Sequence, residues 1–214
     1  MIQRNTRLIV VVGCMGSGKT TEIIRLARIE SMKKKVLCVG HANDTTRQIK
    51  RSGGIEIEAG GLVKHGFIET HDGGRIPALV CTELSSISKT MEYTEADVIV
   101  VDEAQFFPDI KDFITKTRNR DGKDIIFGAL DGDSDMNPFF DVGYILPRST
   151  SFKKLTAICS FCGEESGQTR AMFDKKDRIQ VGNVEEDYAP CCYLHASMSF
   201  GDLPQRKIRG KFIV

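Results

Sequence analysis

The sequence predicts an α/β protein in which a mostly parallel sheet is covered by helices and is followed by a small C-terminal zinc-binding domain. Three observations predict it. Short apolar runs end at glycine or at carboxylates and alternate with a helical pattern, as buried parallel strands do. A glycine-rich phosphate-loop pattern spans residues 13–20 between the first such run and the first helix. Cysteines occur in closely spaced pairs only beyond residue 150.

Length and charge limit the possible functions. With 214 residues, the chain has room for one sizeable domain and a small second unit, which we expect at 1–150 and 151–199, with a basic tail at 200–214. The formal net charge of +1 argues against a protein that mainly coats nucleic acid or an anionic membrane, although a local basic patch stays open. No apolar run approaches the roughly 18 residues of a membrane span. Seven cysteines, an odd number, favour a reducing, cytoplasmic location.

The individual elements follow from the apolar pattern. Ile23, Ile24 and Ala27 give the first helix one apolar face. The segment 41–75 is rich in glycine and only weakly periodic, so we expect a loop or hairpin there, with His41 and His65 solvated. The predicted strands are 7–12, 35–40, 76–82, 97–102 and 124–131, and the predicted helices are 19–30 and 108–118.

The phosphate-loop pattern G-x-x-x-x-G-K-[ST] is complete. It consists of Gly13, Cys14, Met15, Gly16, Ser17, Gly18, Lys19 and Thr20. Glycines let backbone N–H groups surround an anion, and the following helix points the positive end of its dipole at the same place. Lys19 would reach the β- and γ-phosphates of ATP, and the Thr20 hydroxyl would hold Mg²⁺. The alternative is a glycine-rich turn with a solvated lysine. The loop predicts a sheet of the P-loop NTPase type.

A pair of carboxylates, Asp102 and Glu103, ends the apolar run 98–101. The carboxyl ends of parallel strands face the crevice in which such sheets bind ligands. Asp102 is placed to orient Mg²⁺, and Glu103 could accept a proton from an attacking hydroxyl. The alternative is a solvated acidic turn after a core strand.

The paired cysteines have the spacing of a zinc site. Cys159-x-x-Cys162 and Cys192-x-x-His195 would each aim two ligands at one tetrahedral ion. Spacing alone also leaves a Cys191-x-x-x-His195 pairing open, and a set of reduced buried thiols is the alternative to a metal site. Four protein ligands leave no position for a catalytic water, so the predicted zinc is structural.

This order of motifs resembles the thymidine kinases of the tetrameric, zinc-containing type. The resemblance rests on the loop at 13–20, on Asp-Glu-Ala-Gln-Phe-Phe at 102–107, on Ala-Leu-Asp-Gly at 129–132 and on the cysteine pairs. It implies transfer of the ATP γ-phosphate to the 5′-hydroxyl of thymidine or deoxyuridine in nucleotide salvage. It also implies Mg²⁺, a structural Zn²⁺, a homotetramer and a lasso loop that starts at 166–170 and closes over the base.

Residue roles follow from the same resemblance. Glu103 matches the general base, and Asp102 and Gln105 join residues 13–20 around ATP, with Thr20 and Asp102 on Mg²⁺. The substrate-binding positions are Met15, Phe106, Leu130, Phe139, Thr169, Val181, Gly182 and Tyr188.

Two positions depart from the family pattern. Gly16 replaces a phenylalanine of the loop, and Ser134 stands where an aromatic ring stacks on the base. A stacked ring is worth about 1–3 kcal/mol for a base, so the identity of the base is less firmly predicted than the phosphoryl transfer. Two other functions share parts of the pattern. One is a zinc-ribbon ATPase acting on nucleic acid, and the other is a non-catalytic nucleotide-binding module.

Overall fold

A computed structural model describes residues 5–42, 63–70, 72–139, 142–173 and 187–206. Its strands are β1 Leu8–Gly13, β2 Val36–His41, β3 Lys64–Glu69, β4 Arg75–Cys81, β5 Val98–Val101, β6 Asp124–Ala129, β7 Ser151–Leu155, β8 Ala157–Ile158, β9 Glu165–Ser166, β10 Gln168–Ala171 and β11 Tyr188–Cys191. The helices are α1 Lys19–Ser31, α2 Leu84–Ile87, α3 Met91–Glu95, α4 Ile110–Thr115, α5 Val142–Ile145 and α6 Tyr193–Ser197. Single turns of 3₁₀-helix lie at Ala104–Phe106, Leu146–Arg148 and Phe200–Asp202, and a π-helical turn at Lys116–Arg120 extends α4.

The central sheet has seven strands in the order β3-β4-β2-β5-β6-β1-β7. The pairs β4/β2, β2/β5, β5/β6 and β6/β1 are parallel, and β3 joins β4 as an antiparallel edge hairpin. All four residues of β5 and all six of β6 are buried, as expected for central strands covered on both faces. The predicted mainly parallel sheet flanked by helices is therefore confirmed.

Helix α1 packs closely on the sheet because Gly128 leaves room for it. A Cβ atom on Gly128 would lie 1.7 Å from Ile23 Cδ1. The predicted helix 108–118 starts later than expected, at Ile110. Asp109 is the N-cap: its carbonyl accepts the N–H of Phe113 at 3.0 Å, and its carboxylate accepts the backbone N–H groups of Leu84 and Ser85 at 3.0 and 2.6 Å.

An ion network closes the amino-terminal end of the central strands. The Asp124 carboxylate accepts the backbone N–H of Arg7 at 2.9 Å, its guanidinium at 3.0 Å and the ammonium of Lys34 at 2.7 Å. Burial alone would raise the pKa of Asp124, but these donors outweigh it and lower the pKa to about 2.

The predicted loop or hairpin at 41–75 is a hairpin where the structure describes it, in β3 and β4. The expectation that His41 is a solvated loop residue is wrong. His41 is the last residue of β2 and only 5% exposed, because the strand runs one residue further than its apolar pattern. Residues 43–62 of this segment lie outside the described ranges.

The described residues divide into two compact units. The sheet unit comprises those of Met1–Val12, Lys19–Ala129 and Phe140–Lys153, and the metal unit those of Gly13–Gly18, Leu130–Phe139 and Lys154–Val214. The first six residues of the phosphate loop thus group with the C-terminal residues. The boundaries expected at residues 150 and 199 stay a prediction. In the described ranges, no helix combines the length and apolar character needed to cross a membrane.

Candidate active site and metal centre

The phosphate loop begins at the end of β1 and runs into α1. Gly16 and Gly18 have φ angles of 73° and 82°, in the left-handed region where glycine carries no steric penalty. Gly13 has no space for a side chain, since its Cβ would lie 2.4 Å from the carbonyl oxygen of Leu155. The glycines of the motif are thus required by the backbone path itself.

Two loop residues are bonded to the hairpin strands of the metal unit. The backbone N–H of Met15 donates to the Thr169 hydroxyl at 2.9 Å. The Cys14 thiol donates to the carbonyl of Ser166 at 3.5 Å. All four residues are at most 8% exposed, so water does not compete for these bonds.

On the sheet unit, α1 begins at Lys19, which is 7% exposed, and Thr20 follows with a partly exposed side chain. Asp102, directly after β5, is 2% exposed, and its Oδ1 accepts the backbone N–H of Glu103 at 3.0 Å. A carboxylate and a hydroxyl are the hard oxygen donors that Mg²⁺ takes from proteins. Their chemistry therefore fits the predicted roles of Thr20 and Asp102.

Glu103 has an unusual backbone conformation. Its φ and ψ angles are 51° and 42°, the left-handed region, which costs a non-glycine residue on the order of 1–3 kcal/mol. Its carboxylate accepts a hydrogen bond from the side-chain amide of Gln105, in the 3₁₀ turn that follows. Strain of this kind occurs at functional sites, where the surrounding structure holds a side chain in a required direction. The conformation thus sets Glu103 apart from a solvated acidic turn.

His41 is a neighbour of this turn that the sequence reasoning missed. Its ring packs edge-on against Phe107, with centroids 4.7 Å apart, and lies 5.5 Å from the ring of Phe106. Burial lowers the pKa of His41 below its usual 6.5. The strand order explains why His41 lies here. Strand β2 pairs with β5 so that Val39 is opposite Val101, and residues just beyond the two strands therefore lie at the same edge of the sheet.

Several predicted substrate positions meet in the metal unit. Met15, Ala171 and Tyr188 form a buried apolar cluster, against which Leu130 and Phe173 pack. The Phe173 ring meets Tyr188 edge-on, with centroids 5.6 Å apart. The sequence reasoning missed Phe173, although it follows two residues after β10, whose last residue Ala171 pairs with Tyr188.

The other predicted substrate positions do not join this cluster. Phe139 is 8% exposed, Phe106 belongs to the sheet unit, and Val181 and Gly182 lie outside the described residues. Ser134 lies in a tight turn in which Asp133 Oδ1 accepts the N–H groups of Asp135 and Asn137, at 3.0 and 2.9 Å. Ser134 brings no ring to that turn.

The metal centre is assembled from three short elements. Cys159 and Cys162 lie in the turn of the β8–β9 hairpin, Cys192 precedes α6, and His195 lies in the first turn of that helix. Their ligand atoms all lie within 4.8 Å of one another. The Cys162 and Cys192 sulfurs are 3.8 Å apart, the separation expected for two thiolates about 2.3 Å from one tetrahedral ion. Three sulfurs and one imidazole nitrogen fit Zn²⁺ in a closed structural site.

The structure separates the two adjacent cysteines that the spacing left open. Cys192 Sγ lies 3.1 Å from His195 Nδ1, whereas the Cys191 thiol donates to the carbonyl of Ala189. Burial raises the pKa of Cys191 to about 12. For Cys159, burial would also raise the pKa, but the backbone N–H groups of Cys192, Phe161 and Cys162 outweigh burial and lower the pKa to about 6. Cys159 is thus suited to bind metal as a thiolate, and Cys191 is not.

Together, these features define an α/β nucleotide-binding protein of the P-loop class with an appended Cys₃His metal centre. The family model for thymidine kinase matches residues 6–196. The chain belongs to the thymidine kinase family.

Individual relatives agree with this assignment. A thymidine kinase of Oryza sativa is 34% identical over 189 residues, 87% of this chain and 64% of the rice protein. A thymidine kinase of Yaba monkey tumor virus is 32% identical over 91% of this chain and 98% of its own length. A cytosolic thymidine kinase of Cricetulus griseus is 31% identical over 88% of this chain and 73% of its own length.

Proposed function

We propose that this protein is a thymidine kinase, which transfers the γ-phosphate of ATP to the 5′-hydroxyl of thymidine, or of deoxyuridine, in nucleotide salvage. Family membership supports the reaction class and the substrates. The observation that carries the chemistry is the strained backbone of Glu103, whose carboxylate accepts the Gln105 amide directly after the buried Asp102.

ATP binds with its triphosphate on residues 13–20 in this proposal. Backbone N–H groups of the loop and the amino end of α1 hold the phosphate oxygens, and the ammonium of Lys19 reaches the transferred group. Thr20 and Asp102 would hold Mg²⁺, which when bound neutralises charge on the phosphates. Because the phosphoryl group passes in line between two oxygens, most of the rate enhancement comes from positioning and charge neutralisation.

Glu103 acts as the general base. As the 5′-oxygen of the nucleoside forms its bond to the γ-phosphorus, the bond from that phosphorus to the ADP oxygen breaks, and the hydroxyl proton passes to the Glu103 carboxylate. Gln105 donates a hydrogen bond to the same carboxylate and so restrains its orientation. A base fixed by backbone strain and by a neighbouring amide needs little reorganisation before the proton moves.

The nucleoside binds to the metal unit. Met15, Leu130 and Tyr188 offer an apolar surface for the base, and Phe139, Thr169, Val181 and Gly182 complete the proposed set in this unit. The lasso supplies backbone hydrogen bonds to the pyrimidine. The four ligands Cys159, Cys162, Cys192 and His195 hold zinc, whose contribution is to the fold of this unit and not to the chemistry.

The assembly and location that we propose follow the family. We propose a homotetramer that works in the cytoplasm, in line with the relative from Cricetulus griseus that is named as cytosolic.

An ATP-consumption assay over a panel of nucleosides tests the proposed function. Thymidine and deoxyuridine should stimulate ADP release, whereas purine nucleosides and cytidine should not. A parallel reaction with single-stranded DNA provides the contrast. ADP release that responds to DNA and ignores every nucleoside would contradict the proposal and favour the nucleic-acid ATPase.

A further inference from the structure

We propose that Thr169 is a positioning residue of the phosphate loop, whose hydroxyl fixes the loop at Met15 and thereby sets the affinity for ATP. The inference rests on the proposed function in that it takes residues 13–20 as the ATP site. It assigns Thr169 a role toward ATP, whereas the family resemblance implies a role toward the nucleoside.

The bond between Met15 and Thr169 has good hydrogen-bond geometry. The backbone N–H of Met15 points at the Thr169 hydroxyl with an N···O distance of 2.9 Å. This N–H is not available to a phosphate oxygen, because a donor with one hydrogen serves one good acceptor. Met15 is therefore a fixed point of the loop, and the N–H groups that bind the phosphates come from other residues of the motif.

Both partners of this bond are buried. Thr169 is 5% exposed and Met15 is 8% exposed, so no water replaces the hydroxyl if it is removed. A buried N–H that loses its acceptor costs far more than an exposed one. The loop would have to move to satisfy that donor, and the phosphate-binding N–H groups would move with it.

Two further contacts hold Cys14 and Met15 to short strands of the same unit. The Cys14 thiol donates to the Ser166 carbonyl at 3.5 Å. The Met15 side chain packs on Ala171 and Tyr188. The strand β10 that carries Thr169 is held in turn by β11, at a register that pairs Thr169 with Pro190. The anchor is therefore rigid, as a positioning group must be.

Thr169→Val tests the proposal, since it keeps the shape of the side chain and removes the acceptor. Binding of ATP with Mg²⁺ is measured by calorimetry without nucleoside, for the wild type, Thr169→Val and the matched variant Thr169→Ser. We expect the Kd for ATP to rise by about 10-fold in Thr169→Val, because ATP binding must then also restore the loop position that the hydroxyl holds in the wild type. Thr169→Ser keeps the hydroxyl acceptor and should recover most of that loss.

Several results would overturn the proposal. It is wrong if Thr169→Val binds ATP like the wild type, or if Thr169→Ser binds no better than Thr169→Val. Should Thr169→Val not fold, hydrogen exchange of the Met15 amide in the nucleotide-free wild type decides. Strong protection supports the anchor, and exchange as fast as in an exposed loop contradicts it.

This test is separate from the test of the proposed function. ATP affinity is measured without any acceptor substrate, so the anchor can hold in a protein that phosphorylates no thymidine. Conversely, thymidine phosphorylation by the wild type with an unchanged ATP affinity in Thr169→Val would leave the proposed function intact and remove the anchor.

Discussion

The sheet unit and the metal unit are stabilised by different means. The sheet unit contains a continuous core built from the inner faces of the strands and the helices that cover them, including Leu8, Ile99 and Phe127, which are entirely buried. Of the largest fully buried side chains among the described residues, only Phe161 belongs to the metal unit. Its clusters are small and are centred on Cys159 and Cys191 or on Met15.

The difference shows where ordered structure comes from in each unit. Apolar burial at about 25 cal/mol per Å² can hold a seven-stranded sheet, but small clusters around two-stranded ribbons cannot offset their chain entropy. The four metal ligands supply what is missing. The following predictions separate the two contributions, beginning with the largest effect.

Removing one metal ligand should unfold the metal unit and leave the sheet. Structural zinc sites supply folding with apparent binding free energies on the order of 10–16 kcal/mol. Cys162→Ser removes one of the four ligands, so it should release zinc and lose this stabilisation. We expect hydrogen-exchange protection to disappear from β8–β11 and to persist in β5 and β6. The matched control is Cys191→Ala, which removes a neighbouring buried thiol that is not a ligand and should retain one zinc per chain. Zinc retained by Cys162→Ser would contradict the assignment.

Glu103→Gln should remove activity without affecting either unit. Loss of a general base lowers kcat by roughly 10²–10⁴-fold. The thermal unfolding midpoint and the zinc content should match the wild type, because the substitution changes contacts only within the turn that contains Glu103 and Gln105. Near-normal kcat in Glu103→Gln would remove Glu103 from the role of base.

Opening a cavity in the sheet core should destabilise the sheet unit and leave the metal unit unaffected. Phe127→Ala deletes a fully buried ring from β6 and should cost about 3–5 kcal/mol in urea unfolding. Phe152→Ala, at a position that is 40% exposed in β7, is the control and should cost much less. Zinc binding should survive in both variants; its loss in Phe127→Ala would mean that the two units do not fold by separate means.

Acid should separate the units in a fixed order. The pKa of Asp124 is about 2 in the folded protein, below its ordinary 3.8, so its contribution of about 2 kcal/mol is complete above pH 4 and is lost as the pH falls toward 2. Zinc release requires only protonation of the ligands and should come at higher pH. Circular dichroism and metal release followed from pH 7 to pH 2 would show this order, and sheet unfolding before zinc release would contradict it.

The sequence predicted the regular parts of this structure better than the turns. Strands β1, β2, β5 and β6 and helix α1 could be predicted because fully buried runs and one-faced helices have a strong periodic signature. The metal ligands were predictable from their spacing, but the choice of Cys192 over Cys191 required the position of α6, since a spacing of three or four residues suits a helical turn equally.

Other features could not be derived because they depend on which segments meet. The bond from Met15 to Thr169 joins residues far apart in the chain, and no local sequence pattern predicts that these two residues are in contact. His41 is buried because β2 lies beside β5, a fact of strand order, not of local pattern. The left-handed conformation of Glu103 has no sequence signal, since glutamate seldom adopts it.

The most direct test of the central claim follows the fate of the γ-phosphate. ATP labelled in that group is mixed with thymidine, Mg²⁺ and the zinc-loaded protein, and the products are separated. We expect label to appear in thymidine 5′-monophosphate in an amount equal to the ADP formed, and little ADP to form without nucleoside. Label recovered as inorganic phosphate, at a rate that thymidine does not change, would contradict it.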